Sequence, residues 1–304
     1  MKKTFLSLFS IIFILMLVAC GGDTDNADDS TATEPAPETK SESQVFKIGA
    51  IPDQDVSELN RKFGQMAEYL SEQTGLEVEY VPSVDYAALV TAFERGEIHL
   101  GWFGGLTGVQ VRNLVPEAEA IAQRPRDAEF HSVFIAQKEL GLQALEDLKG
   151  HSFTFGSESS TSGHLMPRFY LMEAGINAEE AFDGMPNYSG SHDQTYKLVE
   201  SGAFQAGALN EAVWASAVEE GKVDTNLVDV FYTTPAYFDY NWTINKVDET
   251  FGEGTKEKVI AALLSMNDEQ KELLDLFQTD KFVETNNDNY SAIEDVAKQL
   301  GIIR

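Results

Sequence analysis

The chain has 304 residues, 50 acidic side chains against 22 basic ones, a single cysteine and a formal net charge of −28. So acidic a chain excludes nucleic acid as a partner, because phosphate-backbone binding needs clustered Lys and Arg, and one cysteine excludes an internal disulfide framework. A small anion is not excluded: surface charge is screened over about 8 Å at physiological ionic strength, and a desolvated pocket is governed by its own dipoles.

Met1-Lys2-Lys3 and the apolar run Phe5 to Ala19 read as a signal peptide over 1–19, since the basic start is followed by a core too short for a comfortable membrane span. Leu17-Val18-Ala19-Cys20 resembles the lipobox of bacterial lipoproteins, where the signal is cut before the cysteine and the cysteine is lipidated. Residues 20–44 then read as a lipidated Cys20 and a disordered tether, rich in Asp, Glu, Ser, Thr, Ala and Pro and nearly without apolar residues to bury. The expected location is the bacterial cell envelope, lipid-anchored to the extracytoplasmic face of a membrane.

The body begins with a strand, Val45 to Ile51, bounded by Pro52-Asp53. Leu59, Phe63, Met66, Ala67 and Leu70 keep helical spacing up to Gly75, and Val78 to Val81 makes a second strand, so the order predicts a βαβ unit and a mainly parallel sheet. Tyr86 to Arg95 is a helix closed by Gly96; Ile98 to Phe103 is a strand running into Gly104-Gly105; Thr107 to Leu114 is helical.

Next comes the stretch with the most chemistry in it. Phe153-Thr154-Phe155 alternates as a strand does, and Gly163 to Ala174 carries Leu165, Met166, Phe169 and Met172 at helical spacing, with Pro167 tolerable near a first turn. Between them lies Ser159-Ser160-Thr161-Ser162-Gly163-His164. A hydroxyl-rich loop between a strand and a helix N-terminus aims unpaired N–H and O–H donors at one spot, where the helix dipole adds positive potential. That spot suits a tetrahedral oxyanion; the competing reading of any one of these residues is an ordinary helix cap.

Residues 92–101 and 198–207 share one pattern of helix end, glycine, strand and closing glycine, which predicts two α/β lobes on one plan. Val133 to Ala136 and Val230 to Tyr232 read as the two crossovers. The expected architecture is α/β, two Rossmann-like lobes joined by two crossover strands, with 45–135 plus 232–304 as lobe one and 136–231 as lobe two. Ligands of such sheets sit at strand C-terminal ends, in the cleft.

These residues resemble the phosphonate/phosphite-binding family of ABC-importer solute-binding lipoproteins, which have the type II periplasmic-binding-protein fold. The resemblance runs over nearly all of the body and rests on Asp85-Tyr86, Trp102-Phe103-Gly104, Asp147-Leu148-Lys149-Gly150, Ser160-Thr161-Ser162-Gly163 with Pro167, and Ser191-His192-Asp193. It implies that Tyr86 and the hydroxyls and amides of Ser160, Thr161 and Ser162 hold the anion's oxygens and that His192 completes the shell. Phe130 stands where members with a second tyrosine carry it, and Ser132 is the candidate replacement. Glu211 and Asp239 match acidic positions with which aminophosphonate binders hold an ammonium group. Trp102 and Phe103, together with Tyr237 and Tyr240, either wall the cleft or fill cores. The run Trp102 to Gln110 resembles a subgroup proposed to carry selenate. His99, His131, His151 and His164 read as structural, with His131 and His164 nearest the expected cleft.

The expected function is therefore an extracytoplasmic solute-binding lipoprotein of an ABC importer that captures a phosphonate- or phosphite-type oxyanion by hinge closure and presents it to permease transmembrane subunits, without cofactor, metal or nucleic acid. The alternatives are a selenate or other oxyanion binder of the same fold, a sensor lipoprotein, and a hydrolytic enzyme. The last lacks a Gly-x-Ser-x-Gly elbow, a His-Glu-x-x-His helix, a Cys-x-x-Cys pair and a P-loop, and adjacent His192-Asp193 cannot easily reproduce triad geometry.

Overall fold

The computed structural model of the protein describes residues 44–304; the expected signal peptide, Cys20 and the tether up to residue 43 lie outside them. No helix among the described residues is long and apolar enough to cross a membrane.

The chain opens with β1 (Phe46–Ala50), α1 (Val56–Thr74), β2 (Val78–Pro82), α2 (Tyr86–Glu94), β3 (Leu100–Phe103), α3 (Gly105–Leu114) and β4 (Glu119–Gln123). α1 forms where the periodicity predicts it. The Asp55 carboxylate caps its start by accepting the Ser57 and Glu58 N–H groups, Leu59, Phe63, Met66 and Leu70 bury one face, and Gly75 ends it at φ 74°, where a side chain would be strained. Each such buried side chain contributes about 1.5–3 kcal/mol of transfer free energy.

The middle of the chain supplies β5 (Ser132–Gln137), β6 (Phe153–Phe155), α4 (Met166–Glu173), α5 (Ala178–Ala181), β7 (Asn187–Tyr188), α6 (His192–Glu200), β8 (Ala206–Asn210), α7 (Glu211–Glu219) and β9 (Val228–Thr233). The end adds β10 (Asn241–Ile244), α8 (Asp248–Phe251), α9 (Thr255–Leu264), α10 (Lys271–Leu276), β11 (Val283–Glu284) and α11 (Ser291–Gln299).

Two sheets result, in the orders β11-β4-β10-β3-β1-β2 and β7-β6-β8-β5-β9. In the first, β2, β1 and β3 are parallel as the βαβ reading requires, while β10 and β11 return antiparallel from the C-terminal part of the chain. The second is covered on both faces. Along β5, Phe134 and Ala136 join a cluster with Phe153, Phe155 and Leu171, whereas Val133 and Ile135 join one with Tyr196, Val199 and Leu209, which is the period of two of a strand buried on both sides. The paired patterns at 92–101 and 198–207 deliver β3 and β8 to interior positions of their sheets, each after a glycine of positive φ, Gly96 at 71° and Gly202 at 77°.

The segments Val133–Ala136 and Val230–Tyr232 lie within β5 and β9, which pair with each other inside the second sheet. The chain passes between the sheets just before β5 and just after β9. There the two passing segments are joined by one isolated bridge, Phe130 N–H to Tyr237 O at 2.9 Å and Tyr237 N–H to Phe130 O at 3.0 Å.

Candidate functional site

All the site-forming loops leave one edge of each sheet. β1 leads to Asp53, β3 to Gly104 and Gly105, β6 to the hydroxyl loop and β8 to Asn210. The antiparallel β10 begins at the same edge of the first sheet, with Asn241 opposite Phe103, which brings in Asp239 and Tyr240.

The hydroxyl loop winds into a π turn over Thr161–Leu165, the Leu165 N–H reaching Ser160 O at 3.0 Å, before α4 starts with Pro167 in its first turn. Within this wider winding the three consecutive hydroxyls are all at most 2 % exposed. The Gly163 N–H donates to Ser160 Oγ at 2.9 Å, and the Leu106 N–H at the start of α3 donates to Thr161 Oγ1 at 2.9 Å. Both oxygens are thus used as acceptors, leaving each hydroxyl its own proton to give.

His192, 1 % exposed, opens α6. Its Nδ1 accepts the Asn210 N–H at 3.3 Å, which puts the ring proton on Nε2, 3.5 Å from Tyr240 Oη. Burial pulls the imidazole down to about 4, against smaller upward pulls from Asp53 and Asp193, so it is a neutral donor at pH 7. His192 N–H also donates across the cleft to Asp53 O at 2.9 Å.

On the opposite wall, Tyr86 opens α2 behind the Asp85 cap; its hydroxyl is buried, adjoins Ser160 and has no well-formed hydrogen bond. Burial first and the Asp53 carboxylate second hold this phenol well above its ordinary range, so it remains an O–H donor. Tyr240 Oη donates to Asp53 Oδ2 at 2.7 Å and receives Asn210 Nδ2 at 2.8 Å, and its ring stacks on Trp102 at 5.6 Å. Asp239 Oδ1 accepts the Gly105 N–H at 2.8 Å, while Oδ2 is buried without a partner, near Thr161 and Ser162. Burial raises this carboxyl to about 7, against the lowering hydrogen bond from Gly105. The glycines are needed here: a Cβ on Gly104 would lie 3.0 Å from Thr161 Oγ1 and 3.1 Å from Asp239 Oδ1.

Of the residues expected from sequence, Tyr86, Ser160, Thr161, Ser162, His192 and Asp239 come together, with Trp102 stacked one layer behind. Phe103 points into the core of the first sheet against Phe93, Phe130 packs on Tyr237 and Tyr240 at the passing segments, and Ser132 Oγ pairs with Tyr237 Oη at 2.7 Å. Glu211 starts α7, its N–H reaching His131 O at 3.4 Å, away from the hydroxyl loop. His164 is structural, its Nδ1 on Glu158 O at 2.7 Å and its Nε2 receiving Arg168 Nε at 2.8 Å.

Asp53, Tyr240 and Asn210 join the cluster without having been singled out as ligand residues; the position of Asp53 and Asn210 just beyond strand ends was the available signal. So does the buried pair of Arg124 with Asp127 at 2.6 Å, whose guanidinium lies 5.0 Å from the Tyr240 ring and 5.3 Å from Trp102. Among the described residues no group of His, Cys, Asp or Glu could hold a metal ion.

The family described as periplasmic substrate-binding proteins of phosphonate ABC transporters matches residues 48–290. A probable ABC transporter phosphite binding protein, PhnD1 of Prochlorococcus marinus strain MIT 9301, is 40 % identical over 271 residues, 86 % of this chain and 91 % of the relative. The crystal structure of that PhnD1 with methylphosphonate superposes with a TM-score of 0.83 over 85 % of this chain and 99 % of the other. A phosphate-import protein, PhnD of Mycolicibacterium smegmatis, is 28 % identical over 218 residues, 68 % of this chain and 65 % of its own length.

Proposed function

Because the chain belongs to the family of periplasmic phosphonate-binding proteins of ABC importers, with their type II fold, we propose that the ligand of its cleft is a small phosphite- or phosphonate-type oxyanion held by Tyr86, Ser160, Thr161, Ser162 and His192. The observation that carries this reading is the orientation of the donors. A backbone N–H already takes one acceptor site on Ser160 Oγ and on Thr161 Oγ1 and the single acceptor site of the His192 ring, so the neutral imidazole can only donate and each hydroxyl keeps a proton to donate. A cluster of buried neutral donors favours an oxyanion strongly without adding charge of its own.

Asp239 is the exception and sets the protonation state. Its partnerless Oδ2 either donates a proton, below about pH 7, or accepts one from a ligand hydroxyl. One proton is then shared between the carboxyl and the anion, a requirement that a fully deprotonated anion such as sulfate or selenate meets only while Asp239 is protonated. Capture proceeds by closure: Thr161 and His192 of the second lobe meet Leu106 and Asp53 of the first. The closed body is then what a permease partner meets. The lipobox at Cys20 and the acidic tether support a lipid-anchored protein cut from its signal peptide.

Isothermal titration with phosphite, methylphosphonate, 2-aminoethylphosphonate, phosphate, selenate and sulfate tests the reading. Phosphite or methylphosphonate is expected to bind at micromolar affinity or tighter, roughly −8 kcal/mol or better. Selenate binding in preference to both would move the chain to the selenate alternative, and silence across all six would leave the hydroxyl loop a helix cap.

A further inference from the structure

Away from the anion cluster, a groove of about 740 Å³ runs between the lobes, walled by α1 and α10 on one side and α6 and α7 on the other. Two side-chain contacts span it. The first joins Lys222 to Glu58, while Lys222 also pairs with Glu220 at 2.7 Å. The second joins Gln278 Nε2 to Ser216 Oγ, while Gln278 Oε1 accepts Arg126 Nη1 at 3.3 Å. None of these residues belongs to the donor cluster, so neither contact serves the ligand directly.

Both contacts are made by side chains on fixed backbone. Glu58 sits in the capped first turn of α1. Lys222 is aimed by the end of α7, where Gly221 at φ 66° turns the chain and the Lys222 N–H closes on Ala217 O at 2.8 Å. Gln278 has φ 55°, the only positive value at a non-glycine position among the described residues. A glycine there would relieve the backbone and lose the bridge to Ser216. Backbone held in an unfavourable region by a residue whose side chain bridges the groove points to a use for that side chain. Lys222 stays charged, its ammonium held above the usual range by the hydrogen bonds it donates to Glu220 and then to Glu58.

We propose that Lys222–Glu58 and Gln278–Ser216 form a clasp across the outer groove that sets the closure equilibrium, and hence the affinity, without touching the anion. The proposal rests on the reading of capture by closure. Because apparent affinity scales with the fraction of protein able to close, removing the clasp weakens every ligand equally and acts on escape, since the clasp forms only once the lobes have met.

The test is stopped-flow and titration of the purified protein with phosphite and methylphosphonate in wild type, Lys222→Met and Gln278→Gly, with small-angle scattering of the ligand-free forms. Each variant is expected to raise Kd about two- to fivefold, the range of an exposed pair, wholly through a faster koff and by the same factor for both anions. Gln278→Gly is expected to melt no lower than wild type, so that stability and affinity move apart, which a purely structural role for Gln278 would not produce. Lys222→Met in a Glu58→Gln background adds nothing further. Wild-type koff in both variants overturns the clasp. If wild type binds neither anion, the ligand reading has failed instead; the clasp then stands if both variants enlarge the ligand-free radius of gyration and falls if neither does.

Discussion

The two walls of the cleft are built in opposite ways. The wall from the second lobe is mostly one short run of sequence, Ser160 to Ser162 on its π turn, with His192 beside it, and it offers only neutral donors. The wall from the first lobe is gathered from ends of β1, β3 and β10 and the start of α2, far apart in the chain, and it contains both carboxylates, Asp53 and Asp239. On the proposed reading the second-lobe wall, helped by Tyr86 from the first, grips the anion, and the carboxylates of the first decide how many protons that anion brings. Neither task could be done by the other set: neutral hydroxyls are too weakly basic to take up a proton near pH 7, and carboxylates alone would repel the ligand.

The largest effect should come from removing donors, one from each wall. Thr161→Ala removes a donor that also receives the Leu106 N–H across the cleft, and should cost on the order of 1–3 kcal/mol of binding, roughly tenfold to a hundredfold in Kd. Tyr86→Phe, which deletes a hydroxyl with no well-formed partner, should weaken binding without lowering the melting temperature. Calorimetry giving wild-type affinity for both would move the site elsewhere.

Asp239→Asn sharpens the division of labour. In the wild type, raising pH through about 7 removes the shared proton, so affinity for sulfate or selenate, where either binds, should fall up to about tenfold per unit above that pH. An amide donates at every pH, so the variant should be flat over the same range. Titrations from pH 6 to 8.5 that kept the wild-type slope in Asp239→Asn would assign the proton to another group.

The smallest effect concerns the fold. Burial holds His192, His164 and His99 at about 4, below the unfolded value near 6.5. The stability they contribute is present above pH 6.5 and lost as pH falls toward 4. Asp239 acts the other way, since its raised carboxyl loses stability as pH rises from about 4 to 7. Asp127, whose carboxyl burial also raises, acts with Asp239, so three groups against two predict a melting temperature that drops between pH 6.5 and 4.5, and a rise over that interval would contradict the assignment of these rings as neutral.

The same contrast explains what could be read from the chain. The hydroxyl loop was legible because its donors are neighbours, and the βαβ start and the twin patterns around Gly96 and Gly202 were legible because periodicity and glycine stops are local signals. Asp53 and Asn210 were not, and Tyr240 was legible only as cleft wall or core, because their roles depend on which strand ends share an edge; for Tyr240 that is settled by pairing between β10 and β3 over more than a hundred residues. The Arg124–Asp127 pair was hidden for a similar reason: its stacking on Trp102 and Tyr240 is a fact of packing. Phe103 at a strand end and Glu211 at a helix start satisfied the same local rule as true rim residues and yet face elsewhere.

The bridge between Phe130 and Tyr237 ties the two passing segments into a ribbon. A ribbon flexes readily about one axis and resists sliding of one edge along the other, so the closure proposed above is expected to be a single swing. On the proposed closure, Thr161, Ser162 and His192 would travel on one arc and reach the anion in step, which would make a ligand gripped by half its donors a fleeting arrangement and release a concerted event.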